Sequence, residues 1–160
     1  MSLSPTAKKK VRESIATYCQ QAVSNEPRIH YSQTRPFPFV DIIGHGWHTL
    51  DCSGFVINNY WNASHDTHVW LADPSGQKMS GNGNTWTMTS WLSTHGKKIT
   101  TQPYLVGDIA MFDGHTMICH RKGDKLTSKW TSHGSEGGPV SKELGYRKDL
   151  VGVFRHPALL

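Results

Sequence analysis

The order of hydrophobic periodicities along the chain predicts an α+β fold, with N-terminal helices packed on a central antiparallel β-sheet. Three observations carry this. Apolar residues recur at helical spacing near the N-terminus, a second helical spacing follows Asp51, and short apolar runs separated by tight turns fill the region after residue 106. At 160 residues the chain suits one domain, 1–160, read as an N-terminal helix (1–27) and a core (28–160).

Ser4-Pro5 reads as an N-cap and first helical residue. Ala7, Val11, Ile15, Tyr18, Cys19 and Ala22 then follow at three- and four-residue spacing up to Asn25-Glu26-Pro27. The opposite face, with Lys8, Lys9, Arg12, Glu13 and Gln20, is a solvated one. From Arg28 to Trp47, Pro36, Pro38, Gly44 and Gly46 break any period and predict an ordered loop along one wall of a cleft. Asp51 is a good N-cap for a helix starting at Cys52, whose Phe55, Val56 and Tyr60 share an apolar face. Asp73-Pro74-Ser75-Gly76 and the Gly/Asn-rich stretch 80–84 predict a surface excursion. Thr87 or Thr89 is expected to cap a short helix through Trp91, Leu92 and His95 that Gly96 stops. Strands are expected over 109–112, 115–119, 129–133 and 150–154, with the close spacing of an antiparallel meander.

A net charge of +5, a pI near 9.2 and a mean hydropathy of −0.50 describe a globular chain suited to an anionic partner, either nucleic acid or a cell-wall polymer. The three cysteines, Cys19, Cys52 and Cys119, cannot complete a disulfide framework and lack the CxxC spacing of a structural zinc site. Cys19 and Cys119 fall on apolar faces and are assigned to the core. Lysines 8–10 have no apolar segment behind them and no run approaches ~20 apolar residues, so neither a signal peptide nor a stable membrane association is expected.

Cys52 stands apart because of where it falls. In the first turn of a helix, unsatisfied N–H groups and the positive dipole end favour a thiolate, the attacking species. The small Ser53 and Gly54 would let a carbonyl approach. Such a nucleophile needs a base and a third group to orient it. His115 opens a strand and His133 ends the next, so the two could become cross-strand neighbours, His133 bonding one ring nitrogen of His115 and leaving the other for the thiol. Glu136, just beyond, is the alternative orienting group.

On these residues the chain resembles the NlpC-type cysteine peptidases of bacterial cell walls, papain-like enzymes that cut peptidoglycan stem peptides. The resemblance rests on Asp51-Cys52-Ser53-Gly54-Phe55-Val56, on 106–112 ahead of His115-Thr116-Met117-Ile118, and on Thr131-Ser132-His133-Gly134. It covers about 28–155, and 29–31 with 132–139 are similar to phage-encoded wall hydrolases, whether lysins or tail components. It implies Cys52 as nucleophile, His115 as base and His133 as orienting residue, with Tyr31, Asp51 and Ser53 in the oxyanion and substrate cleft. It also implies no cofactor and no metal, peptidoglycan as substrate, no nucleic-acid partner, and a monomer. Such a protein is made in a host cytoplasm and reaches the wall through a permeabilised membrane or on a virion tail. The chain departs from the family in the insertion from Arg35 to His48 that separates Tyr31 from the cysteine.

Two rivals belong to other classes. His45, His48, His65, Asp66 and His68 could seed the metal site of a zinc-dependent cell-wall amidase or peptidase, though no HExxH helix accompanies them. A non-catalytic wall-binding or nucleic-acid-binding module could use the basic balance and tryptophans 47, 61, 70, 86, 91 and 130, though no nucleic-acid motif is present.

Overall fold

A computed structural model of the protein describes residues 2–25, 29–41, 48–134 and 138–160. The first helix, α1 (Pro5–Ser24), begins as its sequence predicts: Ser4 Oγ accepts the Ala7 N–H at 3.2 Å, Pro5 occupies the first helical position, and Val11, Ile15, Tyr18, Cys19 and Ala22 are buried. That face packs on α2 (Cys52–Thr67), where the Tyr18 and Phe55 rings meet at 5.9 Å. A third helix, α3 (Thr85–His95), starts earlier than Thr87 or Thr89 would have it. Asn84 is the cap and Thr87 sits at N3, the two side chains bonding each other's backbone N–H reciprocally. Asn outranks Thr as a cap, which accounts for the shift.

Among the described residues the strands are β1 (Ile29–Tyr31), β2 (His48–Leu50), β3 (Lys97–Lys98), β4 (Ile109–Phe112), β5 (His115–Arg121), β6 (Lys129–Ser132), β7 (Val140–Lys142) and β8 (Leu150–Arg155). β1 and β2 form a parallel pair, β1 inside the region expected to be loop and β2 directly after it. The other six form one antiparallel sheet in the order β3-β8-β4-β5-β6-β7. β4 to β7 are a meander, but the full sheet is not. β8 returns to the free edge of β4, where Arg155 grips the buried Asp108 through two bonds of 2.7 and 2.8 Å. A fork-to-fork pair of this kind fixes direction as well as position, so the Gly107-Asp108 step anchors the last strand. Gly107 has φ +93°, and its carbonyl accepts the Tyr60 hydroxyl at 2.6 Å, tying α2 to the start of β4.

The sheet buries both faces. Ile109, Met111, Ile118 and Phe154 pack under α1 and α2, while Ala110, Phe112, Met117, Cys119, Trp130 and Val153 form a second core on the far face that includes Leu144 from the β7–β8 connection. The result is a mixed α+β fold with the N-terminal helix packed against a multi-stranded sheet. Among the described residues no helix is long and apolar enough to cross a membrane.

His156 ends the sheet and is held as a neutral ring. Its Nε2–H donates to the Ala72 carbonyl (3.0 Å), its Nδ1 accepts the Ala158 N–H (3.1 Å), and Tyr60 stacks on it at 4.8 Å. Burial pushes its pKa down to about 4, against the smaller upward pull of the Ala72 bond. The unfolded chain therefore binds a proton near pH 6.5 that the folded chain refuses until about 4, so this contribution is complete above pH 6.5 and is lost as pH falls toward 4. Equilibrium unfolding should show about 3 kcal/mol of such loss across that window. In His156→Gln, whose amide can make both bonds without titrating, the corresponding part of the pH slope should disappear; an unchanged slope would show that His156 is not its source.

Candidate functional site

The site is built on the capping of α2. Asp51 Oδ1 accepts the Gly54 N–H (2.8 Å) and the Ser53 hydroxyl (3.0 Å), which sets Cys52 as the first helical residue. The other carboxylate oxygen takes Arg35 Nη2 at 2.8 Å, and the same nitrogen reaches Ser53 Oγ at 3.1 Å. Arg35 Nε donates to the Gly83 carbonyl (2.9 Å), and the guanidinium lies over the Phe37 ring. One half-buried arginine thus ties the loop after β1, the α2 cap and the approach to α3 together. Asp51 and Ser53 line the cleft beside Cys52, and Ser53 and Gly54 also pack into the interior. Ser53 is engaged by Asp51 and Arg35, and a Cβ on Gly54 would lie 3.2 Å from Asp51 Oδ1 and 3.4 Å from both Leu50 and Phe37.

Cys52 is 5% exposed and opens on a cleft of about 260 Å³, whose lining includes Tyr31, Gln33, Arg35, Thr85 and Gly114. Its thiol is pushed up to about 11, first by burial and then by the Asp51 charge, with hydrogen bonds from the Thr116, Ser53 and Cys52 N–H groups pulling the other way. The helix N-terminus acts in the expected direction, but burial outweighs it and the net effect favours the thiol. Cys19 and Cys119 are fully buried; burial raises both thiols, Cys19 to about 12. Iodoacetamide should accordingly modify Cys52 well before the other two in the native protein, and equal labelling by peptide mass mapping would contradict that.

Tyr31 reaches the cleft although the sequence separates it from Cys52. Parallel pairing sets Tyr31 beside Leu50, and the Ser32 N–H donates to the Leu50 carbonyl at 3.1 Å. Burial raises the Tyr31 phenol pKa, so the hydroxyl keeps its proton and can donate.

The two histidines diverge. His115, 5% exposed at the start of β5, shares a 2.9 Å hydrogen bond between Nε2 and Ser132 Oγ, and its ring lies against Phe112 and Tyr146. His133 is buried between Tyr31 and Phe55, each at 5.9 Å between ring centroids, and its Nε2–H donates to the His30 carbonyl at 3.3 Å. Ser132, one residue before His133, is the partner of His115 Nε2. Register is the reason. Fully buried Trp130 pairs with Cys119 in the far-face core, so Ser132, two residues on, pairs with Met117 and shares the face of His115. His133 follows on the helix side.

Glu136, His45, Trp47 and the side chain of His48 lie outside the described residues. His65 is exposed with its ring against Trp61 at 4.3 Å, and His68 is the left-handed C-cap of α2. Among the described residues no three His, Cys, Asp or Glu side chains group to hold a metal ion. The tryptophans are dispersed: Trp130 is core, Trp91 stacks on His95, and Trp70 and Trp86 are largely exposed.

Sequence reasoning passed over Arg35 and Ser132. Arg35 carries no local signal, since its partners are distant in sequence. Ser132 could have been found by alternation from Trp130. No family model and no curated protein sequence matches the chain.

Proposed function

We propose that the chain is a papain-like cysteine peptidase of the NlpC type that hydrolyses amide bonds in peptidoglycan stem peptides, as a phage lysin or tail component. The observation that supports this best is the setting of Cys52. It is the first residue of a buried helix and it opens on a cleft, and the backbone of Thr116, the residue after His115, acts to lower its thiol pKa against the effect of burial.

In this reading Ser132 holds Nε2 of His115, and Nδ1 receives the thiol proton as sulfur attacks the scissile carbonyl. A thiol raised by burial makes that transfer necessary, because little thiolate exists beforehand. The Cys52 N–H and the Tyr31 hydroxyl donate to the oxyanion. The tetrahedral species then expels the amine, which takes the proton from His115, and leaves a thioester on Cys52. Water attacks that thioester with His115 again as base, releasing the carboxylic acid and the free thiol. The net charge of +5 would favour adsorption to a polyanionic wall, an effect that salt weakens.

Purified peptidoglycan incubated with the protein should release soluble fragments, and mass analysis should find new amino termini within the stem peptides. Intact stem peptides after long incubation, or new reducing ends in their place, would overturn the proposal.

A further inference from the structure

Away from Cys52, a groove of about 740 Å³ runs between α1 and the C-terminal half of α2, within the size range of small-ligand sites. Two polar atoms in its wall, Ser14 Oγ and Gln21 Oε1, are buried with no hydrogen-bond partner, and Ser14 is only 7% exposed. An unbonded buried oxygen costs about 1–3 kcal/mol, and native proteins keep few of them. Seven residues apart, these two lie on one face of α1 and turn toward the same groove. Both lack a donor.

The rest of the wall asks for the same thing. Asp41 and Asp66 supply carboxylates, and α2 ends here at the carbonyl pole of its dipole. Glu13 adds a further carboxylate, and Lys10 offsets part of that charge. Trp61, stacked on Phe39 at 5.6 Å, adds an apolar surface. A ligand that fits is rich in hydroxyl and amide donors, carries no negative charge, and has C–H faces to set against an aromatic ring. We infer that this groove binds a neutral saccharide. The proposed peptidase reading enters only in the choice of probe, an N-acetylated oligosaccharide like the glycan strands of peptidoglycan.

The test is a titration of ¹⁵N-labelled Cys52→Ala protein with tetra-N-acetylchitotetraose, which contains no stem-peptide bond, so its outcome is independent of hydrolysis. Saturating shifts are expected at Ser14, Gln21 and the Trp61 indole. Kd should rise roughly tenfold in Gln21→Leu and in the exposed-site variant Asp66→Asn, the loss of about one hydrogen bond each. Ser14→Ala should weaken binding without lowering the thermal midpoint, since its hydroxyl bonds nothing in the protein. The inference is overturned by no saturable shift up to about 10 mM sugar, by shifts confined to the Cys52 cleft, by equal Kd in folded variants, or by a lysine oligopeptide occupying the groove where the sugar does not.

Discussion

Cys52→Ala is expected to abolish release of wall fragments, by at least about a thousandfold, while leaving the thermal midpoint within a few degrees of the parent. The fold should tolerate the change because the helix cap does not depend on the sulfur. Asp51 bonds Gly54, Ser53 and Arg35, and none of those contacts involves Cys52. Activity should not tolerate it, because the other two cysteines are sealed in the core. Cys52→Ser is expected to be nearly as inactive, since a hydroxyl holds its proton more tightly than the thiol whose pKa burial has already raised to about 11. Parallel assays on purified peptidoglycan with circular dichroism on the same samples check both claims. A folded Cys52→Ala protein with full activity would end the peptidase reading and favour a metal-dependent or binding role.

Local signals in the sequence were reliable where a few neighbouring residues decide the outcome. Ser4-Pro5 and Asp51 announced both helix starts, and Cys19 and Cys119 read correctly as core from their periodicity. What stayed hidden depends on pairing between distant segments. β1 and β2 are three residues each, one inside and one just after a Pro/Gly-rich stretch, too short to show a period, yet their parallel pairing delivers Tyr31 to the cleft. The return of β8 to β4 depends on Asp108 and Arg155, two charges that have no local period. The register of β6 is set the same way, by partners distant in sequence. Alternation from Trp130 implies that Ser132 and His133 face opposite sides, a consequence of pairing with β5 that the local motif does not display.

That register leads to the second large effect. Ser132→Ala should lower kcat by about ten- to a hundredfold with little change in KM, because an imidazole without its partner on Nε2 spends most of its time in other tautomers or rotamers. The loss can be large: in the serine-peptidase precedent, replacing the orienting group costs about ten-thousandfold. A hydroxyl orients less firmly than a carboxylate, hence the smaller figure here. Ser132→Thr keeps the oxygen and should recover most of the rate, which a merely structural role for Ser132 would not predict. On the proposed mechanism His115→Ala should be as inactive as Cys52→Ala, since it removes the proposed base. His133→Ala should act differently: it opens a cavity between Tyr31 and Phe55 and drops the bond to the His30 carbonyl, so stability and KM should suffer before kcat does. If folded His133→Ala instead loses turnover while Ser132→Ala works normally, the orienting role belongs to His133, and the strand pairing during catalysis must differ from the one that Trp130 sets.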